Sequence, residues 1–434
     1  MRRVVITGLG IVVPSGVGVE QFWRNSTLGR SYTRHEPLMV DMRMKCHVVS
    51  DLAGFELAEH HPPEVVEELA DMSRFVQFGA TAGAMAVRDA GWLEPDGGDR
   101  RGVVWSSAIG GTPEFQQMYE DRSDSGRVAL RPLPDGSNFY DSVFLNFVPA
   151  WLARRFGLRG PCTSLTTGCT AGIDAMGLGF DLVRHGELDV AVTGAAEAPL
   201  CGVSYATLDV IGSLAAADVP PERASRPFDS LRSGFVLSEG SCAVVLEDHE
   251  HAVRRGARVY GEVLAYASLN NAHHMTDLAP DGAAMAAVIR RCMQAADIGA
   301  EALDYVNAHG SSTPQNDLFE TRAFKDVFGD RAYRIPISST KSMIGHSLSS
   351  ASLVGVAAAI GAMETGMLPP TINHEVPDPE CDLDYVSNRA RPAVVRTAMV
   401  TASGFGGIHS CAVVARGPES NGPRPSAAAA AVTS

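Results

Sequence analysis

Short β-rich runs alternate with longer stretches of helical pattern along almost the whole chain, and this alternation constrains the fold more than any other feature. The strand candidates are VVITG (4–8), GVVWSS (102–107), DVAVTG (189–194), CAVVLE (242–247), YGEVLAYA (260–267), DYVNAH (304–309), TAMVTAS (397–403) and SCAVVAR (410–416). Helical candidates cover 63–90, the run after Cys169, and 283–298. Such alternation predicts helices packed on a sheet, an α/β fold. At 434 residues the chain exceeds one ordinary domain, which leaves two packed domains or one large duplicated fold. With 45% hydrophobic and 20% charged residues it can bury a large core.

A weak internal repeat favours duplication. After Cys169, the residues Ile173, Met176, Phe180 and Val183 form one helical stripe, and the segment ends in RHGEL (184–188). After His346, the run SLSSASLVGVAAAIGAMETGML ends in ETGML (364–368). Both segments are rich in Ala, Gly and Ser and carry little charge, so each predicts a helix buried on most sides. Two such helices in two similar halves place a site at their junction, and their weak charge also suits a large subunit interface.

The formal net charge of −14 argues against a nucleic-acid surface, which needs clustered Lys and Arg. No apolar run of about 18 residues free of charge, Gly or Pro suggests a membrane span. The start, MRRVVITGLG, is too short an apolar run for a signal peptide and reads as a first strand. Eight cysteines, at 46, 162, 169, 201, 242, 292, 381 and 411, form no CxxC pair, which argues against zinc. They are expected to be reduced thiols in a cytoplasmic protein, seven of them packing residues. The end, 417–434, is polar, Pro-rich and then Ala-rich, and is expected to be a disordered tail.

In LTTGCTAGID (165–174), Cys169 stands on a glycine-flanked corner where a helix begins. A buried thiol packs as a compact hydrophobe. A thiol at a helix start is instead a nucleophile whose pKa the backbone amides lower. Two histidines favour the second reading. His309 in VNAHGSSTPQND lies at a strand end, and His346 in STKSMIGHSLSS lies just before a helix. A cysteine and two histidines at such corners suggest thiol chemistry aided by imidazoles. The turn SGFGGIHS (403–410) is suited to presenting N–H groups to an oxyanion. TGLGIVV imitates a dinucleotide fingerprint but has Val13 at its third glycine position. His273 and His274 lack a third metal-ligand pattern and read as rim or packing residues.

Taken together, these motifs resemble the β-ketoacyl synthases of the thiolase-like superfamily, from VVITGLGIVVPSG to GFGGIHS near residue 410. TTGCTAGIDA is similar to the nucleophile elbow and RPFDSLRSGFVLSEG (226–240) to the internal signature. NAHGSSTPQND and KSMIGHS are similar to the two histidine motifs. Within the family the chain looks most like the ketosynthase-α subunit of type II polyketide synthases. The resemblance implies a duplicated thiolase-like α/β fold in five layers, α-β-α-β-α, with halves at 1–250 and 251–416. It implies decarboxylative condensation of an acyl group on Cys169 with a malonyl carrier protein, without metal or cofactor. His309 and His346 would donate to the enolate oxygen, with Lys341 as a supporting cation. The amides of Cys169 and Phe405 would form the oxyanion hole, Phe405 would gate the site, and Ser311 and Thr313 would bind the pantetheine arm. The implied partners are the acyl carrier protein and a homologous chain-length-factor subunit in a heterodimer.

Alternatives are a fatty-acid elongating synthase and a catalytically weak chain-length-factor-like partner. Two departures bear on them. Ser312 stands where the family has glycine. Gly355 stands where it has the glutamate of the hydrogen-bond network behind the lysine and histidines, and Ser349, Ser350 and Ser352 replace small residues.

Overall fold

The computed structural model describes residues 1–92, 98–216 and 219–417. Ten strands carry the architecture: β1 (Val4–Val13), β2 (Arg101–Ser106), β3 (Cys162–Leu165), β4 (Val190–Glu197), β5 (Gly240–Asp248), β6 (Gly261–Asn270), β7 (Tyr305–Asn307), β8 (Ile337–Ser338), β9 (Thr397–Gly404) and β10 (Ile408–Ala415). They follow one hydrogen-bonded order, β8-β7-β9-β10-β6-β1-β5-β4-β2-β3. Read outward from the centre, each half has its first, fifth, fourth, second and third strand in sequence. The pairings repeat as well. In the first half β2 is parallel to β3 and β4, while β5 is antiparallel to β4 and β1. In the second half β7 is parallel to β8 and β9, while β10 is antiparallel to β9 and β6. The halves join through β1 and β6, where Val5 faces Glu262.

Six helices complete the layers: α1 (Arg74–Asp89), α2 (Phe147–Phe156), α3 (Ala171–Arg184), α4 (Ala283–Ala296), α5 (Pro314–Phe328) and α6 (Leu348–Thr365). Strand alternation assigns each side chain to a layer. On β5, Ala243 and Val245 join the outer core with Phe75, Phe78, Trp151 and Leu152 of α1 and α2. Cys242, Val244 and Leu246 of the same strand face the middle layer with Ile173, Met176 and Phe180 of α3 and Val356 and Ile360 of α6. Beyond the second sheet, Met399 and Val413 pack against Ile289 of α4 and Phe324 of α5. Each large aliphatic side chain buried this way contributes about 1.5–3 kcal/mol. The order is therefore α-β-α-β-α, as the family resemblance implies.

The structure corrects three expectations. The helical stretch 63–90 is two helices, Pro63–Leu69 and α1. Gln77 Nε2 turns back to the carbonyls of Leu69 and Met72 (3.1 and 3.0 Å), satisfying the break between them. Second, α3 and α6 face no subunit interface, because they lie between the chain's own sheets. By length and composition α6 could cross a membrane, yet 89% of it is buried here. Third, Cys162 is exposed, so six of the other seven cysteines are packing residues. Apart from Gly417, the expected tail lies outside the described residues.

The glycines of TGLGIVV serve packing. A Cβ at Gly8 or Gly10 would collide with the carbonyls of Ala86 and Ala82, so β1 and α1 meet backbone to backbone.

Candidate active site

Cys169 sits where β3 gives way to α3. Gly168 takes φ +68°, a left-handed corner open to glycine at no steric cost. Gly168–Thr170 form one 3₁₀ turn, and the helix starts at Ala171. The thiol is 7% exposed and meets the backbone N–H groups of Cys169 itself and of Phe405, the latter from the turn between β9 and β10. Burial pushes the thiol up to about 12; Lys341 and the two amides pull the other way, and Glu197 adds to the rise. The lowered thiol pKa expected at a helix start is not found. The helix begins two residues later, and enclosure outweighs the remaining attraction.

The histidines arrive from the other half. His309 follows β7, and its backbone N–H donates to Glu320 Oε1 (2.8 Å) and Thr401 Oγ1 (3.2 Å). His346 precedes α6 and is pinned by its N–H to the Val236 carbonyl (2.7 Å), with its ring against Phe235. The two imidazoles are 5.3 Å apart, centre to centre, at 81°. Burial first, and the Lys341 charge second, hold both well below the ordinary histidine value. Both are therefore neutral at pH 7, each with one N–H to donate. Nδ1 of His346 is buried without a hydrogen-bond partner among the described residues.

Cys169, His309, His346, Phe405, Ser311 and Thr313 line one cavity of about 300 Å³. Ser311 and Thr313 share a hydrogen bond (2.8 Å) on its wall. Lys341 stands behind this wall, its Nζ donating to the His309 carbonyl (2.6 Å). Burial lowers it to about 8, while Glu320, Cys169 and Asp317 favour its charge. Glu320 is the strongest of the charges that favour the Lys341 cation. Its carboxylate also accepts from the amides of His309 and Gly310 and from the Thr401 hydroxyl (2.6 Å). His273 and His274 are exposed beside the cavity rim, where His274 Nδ1 accepts from the amides of Thr276 and Asp277.

Both departures have local explanations. Ser312 is held at φ +71°, where its hydroxyl accepts from the Arg226 amide (2.9 Å) and its own amide donates to Asp317. At Gly355 a Cβ would lie 2.6 Å from Asn307 Oδ1. The space beside the helix is filled by Asn307, whose amide donates to Tyr305 (3.0 Å). The signature RPFDSLRSGFVLSEG clamps the histidine loop: the Phe228 amide donates to Asp317 (2.8 Å), and its ring stacks on Tyr385.

Sequence reading missed Glu320, Glu197 and Asp174, which are all buried. Asp317 and Glu320 stand three apart on a face of α5 shared with the apolar Phe324, and that spacing was the available signal.

Comparison with known proteins identifies the family. The family model for the β-ketoacyl synthase N-terminal domain matches residues 1–252, and that for the C-terminal domain matches residues 260–375. The tetracenomycin polyketide synthase ketoacyl synthase alpha subunit of Streptomyces glaucescens is 42% identical over 96% of this chain and 98% of its own. A type II polyketide ketosynthase solved with its acyl-carrier protein and bound to the hexaketide superposes with a TM-score of 0.88 at 36% identity, covering 96% of this chain and all of that one (100%). The ishigamide ketosynthase/chain length factor superposes at 0.85 with 33% identity, covering 96% of this chain and 100% of that one. The chain belongs to the β-ketoacyl synthase family.

Proposed function

We propose that this chain is the ketosynthase-α subunit of a type II polyketide synthase and performs decarboxylative Claisen condensation. The observation that carries the reading is the convergence of Cys169, the Phe405 amide and two neutral imidazoles on one cavity. Cys169 sulfur attacks the thioester carbonyl of an acyl carrier protein. The carbonyl oxygen gains negative charge between the amides of Cys169 and Phe405, and the carrier thiol leaves with the proton. Malonyl carrier protein then enters, with Ser311 and Thr313 along its pantetheine arm. Loss of carbon dioxide puts electrons on the thioester oxygen, where His309 and His346 donate. Neutral donors suit this step, because they stabilise the enolate without protonating it. The enolate carbon attacks the acyl-cysteine, the sulfur leaves, and the β-ketoacyl product departs on its carrier.

The same reading includes a chain-length-factor partner. The outer edge of β3 pairs with no strand among the described residues, and Ser164 Oγ ties it to the Leu145 carbonyl (3.2 Å). Alongside lie exposed Phe115, Tyr119, Tyr140 and Phe144. A homologous subunit added at this edge would continue the sheet and cover the aromatics. Residues 1–250 and 251–416 serve as the two halves of the chain. The eight free thiols suit the cytoplasm.

An acyl carrier substrate is expected to add mass to the peptide containing Cys169 and to none of the peptides containing the other seven cysteines. Labelling that persists in Cys169→Ala would sink the assignment. An unlabelled parent protein, assayed with its partner subunit, would instead assign the chain to the non-catalytic role.

A further inference from the structure

A buried carboxylate beneath the nucleophile has no part in the chemistry above. Asp174 lies in the first turn of α3 and is 7% exposed. Its Oδ2 accepts from the hydroxyls of Thr167 and Thr170 (2.7 Å for Thr170), the residues two before and one after Cys169. Its Oδ1 accepts from the Tyr266 hydroxyl (2.8 Å) and the Ser410 hydroxyl (2.5 Å). Tyr266 is on β6. Ser410 is on β10, the strand that leaves the turn carrying Phe405. One carboxylate therefore joins the nucleophile turn of the first half to the oxyanion turn of the second. The join is built into the packing. A Cβ at Gly177 would strike the Tyr266 ring, so only glycine lets that ring lie on α3 with its hydroxyl on Asp174. Ser410 Oγ also meets Ser268 Oγ (3.1 Å), which fixes its rotamer.

The two oxyanion amides come from different halves, and their spacing depends on how those halves are registered. We propose that Asp174 is a positioning residue for acyl transfer, holding the Cys169 and Phe405 amides in register as one oxyanion hole. The inference rests on Cys169 being the acylated residue. An ionised carboxylate can accept all four hydroxyls, whereas an asparagine oxygen serves two and its NH₂ confronts the others.

The test uses the full chain with its partner subunit and reads two rates on folded protein: acyl loading of Cys169 by mass, and carbon dioxide release from malonyl carrier protein. Asp174→Asn is expected to slow loading roughly 10- to 100-fold, short of the complete loss of one donor, and to change decarboxylation less than about threefold. Adding Tyr266→Phe removes one hydroxyl facing the asparagine NH₂ and should recover part of the loss, a coupling that mere destabilisation would not produce. If Asp174→Asn does not fold, Thr170→Val and Tyr266→Phe alone should each slow loading about three- to tenfold with decarboxylation kept. Parental loading rates in these variants, or an equal fall in both rates, would overturn the inference. A parent protein carrying its acyl group elsewhere than Cys169 would instead overturn the functional reading beneath it.

Discussion

Gly355→Ala tests whether the missing family glutamate is a vacancy or a filled position. The substitution is at a helix interior, where alanine in place of glycine normally stabilises by about 1 kcal/mol. Here the new Cβ would stand 2.6 Å from Asn307 Oδ1 and 3.0 Å from Val400 Cγ1, inside the normal contact distance of both. Asn307 cannot retreat freely, since its amide donates to Tyr305, whose hydroxyl meets Ser338 Oγ at 2.6 Å. Overpacking costs about 1–3 kcal/mol, and a strained or lost Asn307–Tyr305 bond adds about 1 kcal/mol. Set against the helix gain, the net is a loss of about 1–3 kcal/mol. For a chain this long an unfolding entropy near 2 cal/mol/K per residue converts that to only about 1 °C per kcal/mol, so the denaturant midpoint is the better measure. Asn307→Ala should relieve the crowding. In that background Gly355→Ala should become neutral or stabilising, a change of sign. A Gly355→Ala protein more stable than the parent, or equal effects in both backgrounds, would refute the argument that Asn307 occupies the space.

Two further outcomes follow from the site. His309→Ala and His346→Ala should each lower decarboxylation by roughly 10²–10³-fold while folded protein still loads acyl groups on Cys169, measured as separate half-reactions. Normal decarboxylation in both would refute their role at the enolate. The second concerns pH. Burial holds Lys341 down near 8, and its positive charge favours the Cys169 thiolate. Below that pH, removing one proton yields either a neutral lysine beside a thiol or a charged lysine beside a thiolate, in fixed proportion. Alkylation of Cys169 should therefore rise tenfold per pH unit and flatten above about pH 8. In Lys341→Met the rate should start lower and keep rising past that point; an unchanged profile would show that the cation does not act on the thiol.

The extent to which the site was legible in sequence follows from what each residue must do. Cys169, His309 and His346 stand at corners where strand patterns end and glycine intervenes, so local spacing exposes them. Glu320 and Asp174 sit inside helices, where a buried acid looks like a surface residue until its neighbours are known. Their partners are distant in sequence: Thr401 lies 81 residues from Glu320, and Ser410 lies 236 from Asp174. The two-residue β8 and four-residue β3 are not legible because they lack the β-rich run that marks β7 within DYVNAH (304–309). The direction of the thiol pKa shift is hidden for a related reason. A helix start is visible in sequence, whereas the enclosure that overrides it is a property of the packed halves.

The duplicated topology explains why one fold can carry both parts of the chemistry. The third strand of each half leads to a middle helix, and in each half a cavity-lining residue stands two positions before that helix: Cys169 before α3 and His346 before α6. The two corners are equivalent, and α3 packs on α6, so duplication by itself brings them together. The connections make them different. Between β9 and β10 the second half has only a short turn, from Gly404 to Ile408, which delivers the Phe405 amide to the thiol. Between β4 and β5 the first half inserts residues 198–239, whose described part brings Val236 to the His346 amide and Phe228 to Asp317. On the proposed function, the short connection would serve acyl transfer at Cys169, and the long one holds the histidine side of the site. A change in the 226–240 clamp should therefore disturb decarboxylation before loading, and a change in the 404–408 turn should do the reverse.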